Sequence, residues 1–197
     1  MADSLYLSLW FPNFDLPEIL PRTVSVLRHL PFSPARPGVT YAAVHPVSWA
    51  EPTILERRFN PGLPPEEAVG AIADFLHEDL AYVFEAYWDL WTPPTGTEKW
   101  EQQPSLVRVV AHGLEFEENA AAATGHIQID FGLDAPFLHE ELALSSEAET
   151  RIRSNVQRLV ELTAKVEENS GATGRLLWSE SEENLAQKLI NRLQKVQ

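Results

Sequence analysis

The fold turns on residues 81–91, Ala81-Tyr82-Val83-Phe84-Glu85-Ala86-Tyr87-Trp88-Asp89-Leu90-Trp91. Two periods compete there. Val83, Tyr87 and Trp91 extend the helical stripe of Val69, Ile72, Phe75, Leu76 and Leu80, whereas Tyr82, Phe84, Ala86, Trp88 and Leu90 form an unbroken apolar face at strand spacing. Aromatic and β-branched side chains suit a pleated surface. The stretch is therefore read as a strand over 81–91, ending at Pro93-Pro94.

Working outward, residues 105–117 and 125–132 read as two further strands, completing an antiparallel meander with 81–91. Upstream, residues 5–11 read as a largely buried strand, and residues 39–49 as another, with Pro46 placing its end on an edge. Between them Asp15 opens a helix to about Leu30, with Glu18 in the capping-box position. Eleven of the 15 prolines lie within residues 12–65, which excludes long unbroken helices there. Pro64-Pro65-Glu66-Glu67 is a helix start, since proline and acids both suit a first turn. Downstream, Ser146 with Glu149 opens a long helix carrying Ile152, Val156, Leu159, Thr163 and Val166 and stopping near Gly171. Residues 174–178 make a short strand, and Ser179 with Glu182 opens a last helix with Leu185, Leu189, Leu193 and Val196 inward.

The expected fold is α+β: a largely antiparallel or mixed sheet of about five to six strands, with helices on one face as a two-layer sandwich. The outline also fits a loose duplication of a strand–helix–strand unit. The 197 residues suit a single domain, 1–197. It runs through a proline-rich first third (1–65), an acidic helix-plus-meander (66–134) and a helix–strand–helix end (146–197).

Charge is concentrated in the middle. Residues 61–150 hold 18 acidic side chains against Lys99 and Arg108, whereas residues 151–197 hold eight basic and six acidic ones. The net −14 of the chain is a property of that acidic stretch. It excludes nucleic acid and anionic membrane as direct partners and favours a basic protein, because concentrated charge steers what approaches. The absence of cysteine excludes disulfides, thiolate nucleophiles and cysteine-based metal sites. Met1-Ala2-Asp3-Ser4 and the residues after it lack the basic start and long apolar run of a signal peptide, and no apolar window reaches a bilayer-spanning length. The expectation is a soluble, cytoplasmic protein.

G-x-S-x-G, G-x-G-x-x-G and G-x-x-x-x-G-K-[ST] are all absent. His77-Glu78 and His139-Glu140 lack a second histidine four residues on, since residues 81 and 143 are alanine, so neither is a zincin helix. No cofactor or metal is expected. Alternation does gather one polar set: His126, Gln128 and Asp130 on one strand face, Arg108 and His112 on the next, and Glu85, Tyr87 and Asp89 on the third. His112, His126, Asp130 and Arg108 are thus the candidates for acid–base work, because imidazole titrates near neutrality and carboxylates orient it. A sheet covered on one side shows the same alternation to solvent, which is the plainer reading. The candidate binding residues are Glu85, Tyr87, Asp89, Trp91 and Trp100. Trp91 and Trp100 flank the Pro93–Gly96 turn, and the other rings at regular spacing are expected inside. The leading expectation is a non-enzymatic protein-binding module whose acidic, aromatic central surface takes a basic partner. The alternative is an enzyme or small-ligand binder using a polar sheet face with His112, His126 and Asp130. The sequence sets no oligomeric state.

Overall fold

Strand spacing prevails in the disputed stretch. In the computed structural model, which describes residues 3–93, 99–138, 145–180 and 185–194, Tyr82, Phe84, Ala86, Trp88 and Leu90 are all buried along one strand. The elements in chain order are β1 (Ser4–Trp10), α1 (Leu16–Leu27), β2 (Val39–Pro46), β3 (Leu55–Arg58), α2 (Pro65–Gly70), β4 (Leu80–Thr92), β5 (Glu101–His112), α3 (Ala120–Thr124), β6 (Ile127–Leu133), α4 (Ala135–Leu138), α5 (Ser146–Ser170), β7 (Gly174–Ser179) and α6 (Leu185–Gln194).

The sheet is open and antiparallel throughout, in the order β3-β2-β4-β5-β6-β1-β7. The β4-β5-β6 meander is at its centre. It has seven strands, not five to six. The addition is β3, whose Leu-Glu-Arg-Arg sequence points only Leu55 inward and so shows no alternation. β1 and β2 lie on opposite sides of the meander, so the first strand–helix–strand unit does not pair its own strands.

Local signals are met with small displacements. The helix started by Pro64 stops at Gly70, and a single 3-10 turn over Ala73–Phe75 replaces the continuation. Ser145, not Ser146, caps α5, its hydroxyl accepting from the Ala148 N–H at 3.2 Å. Asp15 stands at the start of α1 in an extended conformation, but its side chain makes no capping bond. Glu182, Val196, His139-Glu140 and the Pro94–Gly96 part of the turn lie outside the described residues.

Most of the core gathers on the Tyr82–Leu90 face. Leu5, Leu7 and Leu9 of β1, Ile19, Val26 and Leu27 of α1, and Val156, Leu159, Leu162 and Val166 of α5 join it in one cluster. Each such side chain contributes about 1.5–3 kcal/mol on burial. Among the described residues the opposite face holds a small cluster of Ala43, Val83 and Val110. Asn155 of α5, fully buried, locks that helix to the strand. Its Oδ1 accepts from Trp91 N (2.9 Å) and its Nδ2 donates to the carbonyls of Trp91 (2.8 Å) and Pro136 (2.9 Å). Among the described residues no helix is long and apolar enough to cross a membrane.

Candidate functional site

On the side away from the main core, register sets one residue from each strand in a row across the sheet: Arg58, Tyr41, Glu85, Arg108, Asp130, Tyr6 and Trp178. Arg108 sits between two carboxylates, its Nε donating to Glu85 at 2.9 Å and its guanidinium 3.8 Å from Asp130. Asp130 also accepts from the Gly132 N–H at 2.8 Å. Arg58 lies over the Tyr41 ring at 5.8 Å, and Tyr6 stacks on Trp178 at 4.7 Å. Three residues that alternation grouped, Glu85, Arg108 and Asp130, are therefore brought together as a self-compensating ionic line.

The two histidines of the set are held by other groups. His112 is buried, with its Nδ1–H directed at the Gly125 carbonyl (3.0 Å), and burial pushes its pKa down to about 4. His126 accepts from the Phe11 N–H through Nδ1 (3.0 Å) and stacks on Phe14 at 4.4 Å, and burial lowers its pKa too. Burial thus disfavours the charged form of both rings.

The candidate binding aromatics carry cations from the chain itself. Arg36 lies 4.5 Å from the centre of the Tyr87 ring and Arg151 lies 3.8 Å from that of Trp91. Asp89 accepts a hydrogen bond from Arg158 at its backbone carbonyl, and its side-chain Oδ1 is buried with no hydrogen-bond partner among the described residues. Trp100 is half-buried. Asp89 also lines a cleft of about 440 Å³ with Phe32, Gln102, Arg158, Glu161 and Lys165.

A second grouping forms at one end of the sheet, from three segments whose partnership the sequence does not signal. Residues 47–54, 72–79 and 113–119 contain seven carboxylates and no lysine or arginine. Backbone hydrogen bonds clamp them together: Val47 N–H to Asp79 O (2.8 Å), Glu117 N–H to Val47 O (2.7 Å), Glu115 N–H to Glu78 O (2.8 Å) and Gly113 N–H to Leu80 O (2.8 Å). Gly113 permits the approach, because a Cβ there would stand 2.2 Å from the Glu78 carbonyl oxygen.

The clamp is strained. Val47 has φ 60°, and Glu117, Glu118 and Asn119 follow one another at φ 48°, 54° and 71°. Left-handed backbone costs a non-glycine residue about 1–2 kcal/mol, and it is least expected of a β-branched one. The same end exposes Val47 (56%), Trp49 (41%), Ile54 (49%) and Phe75 (37%), four of the eight large apolar side chains exposed among the described residues. Trp49 is braced edge-on by His45 (4.9 Å) and Phe116 (4.9 Å) while its remaining surface faces solvent. None of these carboxylates pairs with a lysine or arginine among the described residues, and Asp79 is hydrogen-bonded to the His77 ring at 2.5 Å. The run Glu117-Glu118 reads in sequence as plain solvated surface, and Val47 and Trp49 as the end of a strand. Only the turn-forming Ser48, Pro52 and Thr53 hint at a loop there.

Among the described residues no group of three or more His, Cys, Asp or Glu side chains is placed to hold a metal ion. Comparison with protein-family models, curated proteins and solved structures finds no match.

Proposed function

We propose that this chain is a non-enzymatic protein-binding module that takes a basic partner at the acidic end of its sheet. One observation carries the reading: strained backbone at Val47 and Glu117–Asn119 presents exposed Val47 and Trp49 amid carboxylates that pair with no lysine or arginine among the described residues. Strain of this kind persists where the surrounding structure over-determines it, and it concentrates at functional surfaces. A half-packed tryptophan is a rigid anchor, and the carboxylates supply long-range attraction for a cationic surface. The reading takes the helices as one layer over the Tyr82–Leu90 face. Glu85, Tyr87, Asp89, Trp91 and Trp100 then flank the surface rather than centre it, since Arg108, Arg36 and Arg151 already occupy Glu85 and two of the rings. The cysteine-free composition fits a reducing cytoplasm.

The test is capture by the tethered chain from an extract of the organism that encodes it. Wild type is expected to retain a basic protein that the Trp49→Ala, Glu117→Lys, Glu118→Lys variant loses. Equal retention by both chains would refute the reading.

A second reading, small-ligand binding, is favoured by the unpartnered Asp89 Oδ1 beside the 440 Å³ cleft. A buried carboxylate oxygen without a donor is costly, and a ligand N–H or ammonium would satisfy it. Thermal-shift screening of small amines against wild type and Asp89→Asn is expected to show stabilisation of wild type alone; no shift in either chain would dispose of this reading.

A further inference from the structure

We propose that the β7 edge of the sheet is a self-association surface, pairing with the β7 edge of a second copy of this chain. The two ends of the sheet differ in a way that pairing explains. β3 is guarded: it has only four residues, and Glu56, Arg57 and Arg58 stand exposed along it. Short charged edges of this sort repel a further strand. β7 is unguarded. It is the terminal strand, hydrogen-bonded on one side to β1, and Leu176 on it is 52% exposed. Its single charge is paired, Arg175 donating from Nε to Glu167 of α5 at 2.9 Å. Trp178 makes the strand stiff, stacking on Tyr6 and donating from Nε1 to Ser8 Oγ at 2.9 Å.

Apolar surface continues past the strand. A groove of about 360 Å³ runs between β7, α5 and α6, lined by Val160 (40% exposed), Ala164, Leu176, Ala186 and Ile190 (42% exposed), with Arg175 as its one charged side chain among the described residues. Such a surface next to a free strand edge supplies both main-chain hydrogen bonds and burial to whatever pairs there.

Charge selects the occupant. The carboxylates that would drive two copies apart lie in residues 61–150, where acids outnumber bases 18 to two, whereas residues 151–197 hold eight bases and six acids. This is the face on which two copies of a −14 chain can meet with least repulsion. A basic partner finds no concentrated negative charge there, and a polyanion no basic stripe. Antiparallel pairing of β7 with its own copy is isologous, so one two-fold contact joins both edges and both grooves and then closes. It would extend the antiparallel pattern of the sheet unbroken.

The test is the solution mass of the full chain by light scattering and sedimentation across about 1–100 µM, since mass action governs the dimer. Wild type is expected to approach twice 22.2 kDa at the upper end, and Leu176→Lys to stay at 22.2 kDa with an unchanged circular dichroism spectrum. Arg58→Leu, on the opposite edge, should leave the wild-type mass in place. A wild type that remains at 22.2 kDa throughout, or a Leu176→Lys chain that dimerises equally, overturns the proposal. If Leu176→Lys does not fold, hydrogen exchange of wild type decides. Protection of β7 amides that rises with concentration supports pairing; protection independent of concentration means that the chain covers its own edge, and overturns it.

Discussion

The acidic end of the sheet and the β7 edge each expose a set of large apolar side chains, but they are built by opposite means. The acidic end is made of turns held in costly conformations, with Val47 at φ 60° clamped to Glu117, and with Trp49 and Phe75 set among carboxylates. The β7 edge is made of regular elements: a strand, the long α5 and α6, with apolar surface near electrical balance. The difference teaches that exposed hydrophobics alone do not define a partner. On our proposal, charge and backbone strain suit the first surface to a foreign basic protein. Neutrality and an open strand edge assign the second to the same chain.

The largest expected effect tests whether regular structure is the frame and strain the accessory. Asn155→Ala leaves the Trp91 amide and carbonyl and the Pro136 carbonyl without their partner, and should destabilise by about 4 kcal/mol in denaturant titration. A loss below about 1 kcal/mol would mean that α5 is not fixed to β4 in this way.

Next is the histidine buried under Trp49. His112 has a folded pKa of about 4 against an ordinary 6.5, so it binds a proton more readily when unfolded. Its contribution is intact above about pH 6.5 and is lost as pH falls toward 4, on the order of 3 kcal/mol over that window. Burial lowers the pKa of His126 and His45 in the same sense. Replacing His112 by Phe should flatten the stability–pH curve between these limits; an unchanged slope would show that His112 is not the group responsible.

Two smaller effects separate binding from folding at the acidic end. Trp49→Ala should weaken partner binding by about 2 kcal/mol, or roughly thirtyfold, measured by calorimetry. Val47→Gly should raise stability by about 1 kcal/mol, because glycine adopts positive φ without strain. The same change should weaken capture by loosening the loop. If it destabilises, the conformation is not strained and the sign of the contrast fails.

Much of the frame was legible because it follows a period. Tyr82, Phe84, Ala86, Trp88 and Leu90 announce β4 by alternation, and the same period on neighbouring strands places Glu85, Arg108 and Asp130 on one face. The features that escape reading are those without a period. β3 is too short and too charged to alternate. Arg36 reaches Tyr87, and Arg151 reaches Trp91, from more than 50 positions away, so ring faces that look free in sequence are covered by contacts only the fold creates. Nothing in a valine marks it for left-handed backbone. The end of the sheet that we propose as the binding surface was therefore hidden in residues that read as the end of a strand and as ordinary acidic surface.

The most direct measurement runs two variants side by side through capture and mass determination, at about 0.05 M and about 0.5 M salt. The account predicts that Trp49→Ala, Glu117→Lys, Glu118→Lys loses a basic partner yet keeps the dimer mass, that Leu176→Lys keeps the partner yet becomes monomeric, and that high salt weakens capture by wild type. Capture of the same proteins by both variants, or capture indifferent to salt, would contradict it.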